Sequence, residues 1–297
     1  MPFTILQMFC GLVCPAVVVL LAGAMACRFC SEARWIFGPA IAAGFALAYW
    51  NIEPAPAWPP SANVVYLLFY FALVGGALVY ADAMLKPPTW LRAFALALLW
   101  RIAARQFLQR QVPASMSESE LAGWIDLWTI VAVGWWLAFE TMAERWAGVS
   151  VPLLLTMLSV ASAIFLAMGW HIQSSGAMAG AVAGMCIAGA VLGLISHRVL
   201  FARGFAGVSV LLLQLLLIHG YFYTDDTLTS RQELLFGLLL GSPLLAFVGE
   251  IPLLRRQRPV WRVLGRIAIV AIVLATICTI TIRDYIKTEQ AAAMQEE

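Results

Sequence analysis

Charge is what this 297-residue sequence has least of: only 11% of its residues are Asp, Glu, Lys or Arg, against roughly a quarter in a soluble domain. Most of the folded surface therefore faces something other than water. A formal net charge of +2 leaves no basic field for nucleic acid and no pull on an acidic partner. The familiar catalytic signatures are missing as well. There is no GxxxxGK[ST] phosphate loop, no HExxH zinc helix, no GxSxG nucleophile elbow and no GxGxxG fingerprint. The three histidines, His171, His197 and His219, stand far apart in the chain. Cys27-Arg-Phe-Cys30 is a lone CxxC without the second pair or nearby histidine that zinc wants. The other cysteines sit in apolar runs, where thiols pack as small hydrophobes. No metal, no cofactor and no nucleic-acid partner are expected, and no stretch between apolar runs is long enough for a soluble domain.

What is abundant is apolar surface: 63% of the residues are hydrophobic and the mean hydropathy is +0.89. Apolar runs fall near 5–27, 35–52, 64–84, 90–108, 122–142, 150–170, 177–196, 205–222, 233–250 and 261–282. In hydrocarbon every backbone N–H and C=O must be satisfied within the segment, so such runs become helices. The expected fold is an all-α integral membrane protein, one polytopic domain over 1–297 with about ten transmembrane helices. The first run lacks the basic flank of a cleaved signal peptide and reads as a retained helix.

Lys and Arg concentrate in cytoplasmic loops. With ten spans, Arg28, Arg34, Lys86, Arg92, Arg145, Arg198, Arg203, Arg255, Arg256, Arg258, Arg262 and Arg266 share one side. The other side has half as many: Arg101, Arg105, Arg110, Arg231, Arg283 and Lys287. This places both termini on the non-cytoplasmic side. Omitting 90–108, the most polar run, nearly erases the asymmetry, so that run is counted as a span. WNIEPAPAWPPS (50–61) becomes an extended outer loop.

Sliding the chain against itself by about 169 residues aligns Ala33-Arg34 with Ala202-Arg203, Gly38 with Gly207 and Trp50 with His219. Nearby, Asp82 meets Glu250 and Pro88-Thr-Trp90 meets Pro259-Val-Trp261. The reading is a 4+2+4 arrangement with parallel halves at 1–110 and 175–285 and helices 5 and 6 inserted. Parallel repeats of this kind put a site between the halves in some transporters.

Four groups of residues could carry function. Arg101 and Arg105 lie one turn apart on helix 4, and Asp126 enters helix 5 from the same side. An Arg105–Asp126 pair with Arg101 reaching into one pocket is expected, either as a substrate contact or as a lock between the helices. Charges at mid-helix cost about 2.5–3.5 kcal/mol each in a membrane. Asp82, Glu140 and Glu250 sit near the cytoplasmic ends, close to Arg92, Arg145 or Arg255, as relay acids or as partners of snorkelling arginines. His219, with Asp225 and Asp226 in LLLIHGYFYTDD, reads as a membrane exit with headgroup-level aromatics, or as a site opening outward. Gly176, Gly180 and Gly184 recur every fourth residue, which lets helix backbones approach closely.

Trp58-Pro-Pro60, Pro88-Thr-Trp90-Leu-Arg92 and Gly220-Tyr-Phe-Tyr223 together resemble a group of polytopic membrane proteins of planctomycete-type bacteria. The resemblance spans most of the chain and implies a bacterial inner-membrane, multi-pass protein; it brings no activity with it. Arg101 and Arg105 make helix 4 more polar than that resemblance leads one to expect. The expected role is a non-enzymatic membrane component, such as a subunit, scaffold or assembly factor, with the lipid bilayer and other membrane subunits or a second copy as partners. The alternative is a transporter of a small solute or lipid-like molecule. An intramembrane enzyme fits least.

Overall fold

A computed structural model describes residues 5–29, 36–54, 56, 65–85, 87–111, 117–145, 149–195, 204–223, 229–247 and 259–294. Asp225, Asp226, Glu250, Trp58-Pro-Pro60, His197 and the side chains of the CxxC lie outside what is described. Ten helices run through the rest: α1 Ile5–Phe29, α2 Phe37–Ile52, α3 Val65–Leu85, α4 Thr89–Gln111, α5 Glu118–Arg145, α6 Ser150–Ile164, α7 Gln173–Ile195, α8 Phe205–Tyr223, α9 Ser230–Leu245 and α10 Pro259–Ala293. Every expected run contains a helix over its described residues, and no strand occurs among the described residues.

Local chemistry sets several boundaries. Ser117 and Glu120 cap α5 reciprocally, with the Glu120 amide donating to Ser117 Oγ at 3.3 Å and the Ser117 amide to Glu120 Oε2 at 2.9 Å. Thr229 and Gln232 form the same box at the start of α9. The α6 helix ends in a π turn, Phe165–Gly169, with the Trp170 amide donating to the Phe165 carbonyl at 3.1 Å. His171 then takes a left-handed φ of 57°, the one non-glycine residue to do so among those described. That bend lets α7 begin at Gln173 rather than 177, so Ser174 and Ser175 join its first turn.

Six helices are long and apolar enough to cross a membrane, through Val65–Asp82, Glu118–Glu144, Ser150–Gly169, Gln173–Ile195, Phe205–Phe222 and Leu264–Ala291. Two shorter apolar segments, Cys10–Ala26 and Phe37–Ile52, accompany them. α4 and α9 belong to neither set. Four arginines on α4, Arg92, Arg101, Arg105 and Arg110, explain why it does not.

The bundle is organised around α8, which packs against α2, α3, α4, α5, α6 and α7. Within its span 89% of the residues are buried. α1 lies outside, on α2 and α7, while α9 and α10 cover α6 and the π turn. Glycine permits two close approaches. A Cβ at Gly207 would stand 2.3 Å from the Trp136 ring, and one at Gly220 would stand 2.3 Å from Leu166. The α7 glycines divide their roles. Gly176 meets α6 at Ala163 and Ala167, Gly184 meets the Leu12 carbonyl of α1, and Gly180 faces open space. An advance of four residues turns a helix by 400°, so the stripe drifts off any single partner.

Candidate functional site

Successive helices alternate in direction, so the bundle has two ends, one holding Arg92 and the other His219. At the Arg92 end, Asp82 of α3, Arg92 of α4 and Glu140 of α5 form a triad. The Arg92 guanidinium places Nε 2.6 Å from Asp82 Oδ1 and donates from Nη2 to Glu140. All three side chains are largely buried. Of the acids expected beside Arg92, Arg145 or Arg255, Asp82 and Glu140 share the single Arg92, and Glu250 lies outside the described residues. Beside the triad is a cavity of about 210 Å³. Its wall is apolar apart from Asp82 and Arg92, and includes Leu78, Leu96 and Trp136.

The expected Arg101/Arg105/Asp126 cluster forms differently. Arg101 Nη1, not Arg105, reaches Asp126 Oδ1, at 3.0 Å. The pair does not enter an internal pocket; its side chains are 62% and 52% exposed. The reason is helical phase. Leu99, Trp100, Ala103, Ala104, Phe107 and Leu108 point α4 inward, leaving Arg101 and Arg105 on the opposite face with Phe94, Leu98 and Ile102. On α5 the matching outer face shows Gly123, Asp126, Leu127, Ile130 and Gly134. A Cβ at Gly123 or Gly134 would touch nothing within 4 Å. Arg105 has no ion-pair or hydrogen-bond partner among the described residues.

His219 is buried, with Nδ1 3.0 Å from the Ser175 hydroxyl in the first turn of α7. The adjacent Ser174 hydrogen-bonds the Glu53 carboxyl at the end of α2, whose pKa burial nevertheless pushes up. Together the two serines tie the start of α7 to the ends of α2 and α8. A serine beside a histidine is also the start of a nucleophile–base arrangement, but neither residue lines a described cavity. Tyr221 and Phe222 join Trp124, Trp128, Trp170 and Phe236 in a ring cluster with centroids 5.0 to 6.4 Å apart between α5, the end of α6, α8 and α9.

Two features escaped the sequence reading. Gln214, at the middle of α8, is fully buried, and neither its carbonyl nor its amide nitrogen has a partner among the described residues. It lies seven residues from both Gly207 and Tyr221, which face α5, so two-turn spacing sets it on the same side. The second is a cavity of about 360 Å³ where the π turn, α9 and α10 meet at the His219 end. Phe165, Met168 and Leu235 give it an apolar part; His171, Arg231, Thr281, Asp284 and Tyr285 give it polar walls. Only the Thr229-Ser-Arg-Gln232 cap in the sequence hinted at a structured edge there.

Among the described residues, no three of His, Cys, Asp and Glu lie together as a metal site would need. The fold and the exposed apolar surface define the class, an all-helical membrane protein whose apolar helices contact the lipid bilayer. Compared with protein-family models, curated proteins and solved structures, the chain matches none.

Proposed function

We propose that the protein is a non-enzymatic component of a bacterial inner-membrane complex, docking a partner's transmembrane helix along the outer face of α4 and α5. The observation that carries this reading is the exposed Arg101–Asp126 pair with unpartnered Arg105 beside it, on helices otherwise faced with Phe94, Leu98 and Ile130. Left against lipid, each charge costs about 2.5–3.5 kcal/mol. A partner helix with a carboxylate opposite Arg105 relieves that cost, and the open positions at Gly123 and Gly134 let its backbone come close.

The reading includes ten spans, both termini outside and the Arg92 end in the cytoplasm, supported by the arginine asymmetry of the loops. The 4+2+4 relation between 1–110 and 175–285 draws support from α1 and α7, its equated first helices, which pack side by side. Their successors are placed less alike, since α8 is enclosed on all sides and α2 only in part. Transport is the second reading, favoured by the 360 Å³ cavity at the His219 end. Against it stands α8, which fills the bundle centre where a path would continue.

The test is site-specific photocrosslinking in intact membranes, with the probe at Leu98 or Ile130 and, as a control, at Ile272 on α10. The expected result is one discrete adduct from the first two positions. It is lost in Arg105→Glu and restored when the partner's cross-linked acid is changed to arginine. Adducts of equal yield from Ile272, or a band insensitive to Arg105, overturn the proposal. An adduct of two copies of this chain replaces the acidic partner with a homodimer.

A further inference from the structure

The cavity at the π turn has chemistry that its position alone does not explain. Arg231 Nη1 spans both Asp284 oxygens, at 3.2 Å to Oδ1 and 3.1 Å to Oδ2. One nitrogen thus makes the whole ion pair, and Nε and Nη2 of the guanidinium fork have no partner among the described residues. Beside the pair, the rings of His171 and Tyr285 lie 5.5 Å apart. The remaining wall is Phe165, Met168 and Leu235. Thr281 supplies an independent observation. Along α10, Thr276, Thr279 and Thr288 each donate to the carbonyl four residues back. Thr281, 4% exposed and on the cavity wall, has no partner for its hydroxyl among the described residues.

We infer that this cavity binds a small zwitterion, a molecule with an anionic group and an ammonium a few bonds apart and an apolar remainder. The lining's two ionised groups sum to zero and lie side by side. A lone anion on Arg231 is repelled by Asp284, and a lone cation on Asp284 is repelled by Arg231. A ligand with both charges avoids each repulsion. Its carboxylate or phosphate takes the free Nε/Nη2 edge of the fork, the geometry in which arginine bonds oxyanions best. Its ammonium meets the open lone pairs of Asp284 and the faces of Tyr285 and His171. The apolar part lies on Phe165, Met168 and Leu235, and the volume suits one small molecule. The π turn and left-handed His171 make the room, since a regular α6 end would carry the chain across it. This site is independent of the α4–α5 face.

A free α-amino acid and the headgroup of an ethanolamine phospholipid share this chemistry, and the test separates them. The full chain is placed in nanodiscs of phosphatidylglycerol alone. Saturation-transfer NMR then compares leucine with leucinamide, which keeps only the cation, and N-acetylleucine, which keeps only the anion. In parallel, native mass spectrometry counts phosphatidylethanolamine retained from mixed discs. Leucine binding that drops by about ten-fold or more in both analogues, in Arg231→Gln and in Asp284→Asn, assigns a free zwitterion. Retained phosphatidylethanolamine, lost in the same two variants, assigns the headgroup. Thr281→Val, nearly isosteric, weakens whichever ligand binds by a smaller factor. An unchanged melting temperature in all three variants shows that the fold persists. No binding in either arm, equal binding of the single-charge analogues, or indifference to Arg231→Gln and Asp284→Asn overturns the inference.

Discussion

α8 and α4 touch along the bundle, yet they treat polarity in opposite ways. α8 is enclosed by six helices, and its single mid-helix polar group, Gln214, faces inward without a partner. α4 buries its apolar side and turns Arg101 and Arg105 outward, where a soluble protein would put them and a membrane protein would not. Its inward charge, Arg92, is matched by two acids. The difference teaches that burial in this bundle tracks packing rather than polarity, and that an exposed charge on an otherwise apolar helix face is the more informative anomaly.

The comparison breaks most severely at Arg92. Changing Arg92→Met leaves Asp82 and Glu140 facing each other without a counter-charge. A loss of about 3–5 kcal/mol is expected, read as a fall in unfolding free energy by steric trapping in bicelles. A loss under 1 kcal/mol would mean that the triad does not hold α4 to α3 and α5. Next is the packing of α8. Gly207→Leu forces a side chain into the Trp136 ring and should cost about 1–3 kcal/mol, whereas Gly134→Leu on the open face of α5 should leave the melting temperature nearly unchanged. Equal effects at the two glycines would erase the contrast between enclosed and open helix faces.

Gln214→Leu runs the other way. Removing a buried amide whose groups lack partners should stabilise the chain by about 1–3 kcal/mol, seen as a higher melting temperature. Destabilisation would instead mean that the amide holds water or a ligand between α8 and α5. A smaller effect is expected from Arg101→Leu combined with Asp126→Leu. The exposed pair contributes less than about 1 kcal/mol to the isolated chain, so the melting temperature should hardly move. The smallest effect concerns Glu53. Its folded pKa is raised by burial, so the folded state holds its proton more tightly than the unfolded chain. Stability is therefore greatest on the acid side and declines as pH rises from the ordinary glutamate range through the raised value. Glu53→Gln should flatten that decline in a pH series of thermal melts.

Helix positions were legible because the bilayer leaves the backbone no alternative. Arg101, Arg105 and Asp126 were legible as anomalies, since charge within an apolar run needs a reason. Which arginine took Asp126, and that the pair faced outward, was not legible. That depended on the rotation of α4 about its axis, set by Trp100, Ala103, Ala104 and Phe107 packing inward. His219 was read as a membrane exit from its aromatic neighbours, but Ser175 reaches it only because the His171 bend starts α7 four residues early. The zwitterion cavity joins residues from 165 to 288, and no spacing along the chain signals such a meeting.

By itself, the sequence determined an all-helical membrane protein, because hydrocarbon forbids unpaired backbone and charge is costly within it. Tertiary structure decided which helix became the centre and which charges were buried together, and it formed the cavity at the π turn. Those outcomes depend on helix rotation and close packing across the bundle, which the order of residues along one helix does not specify.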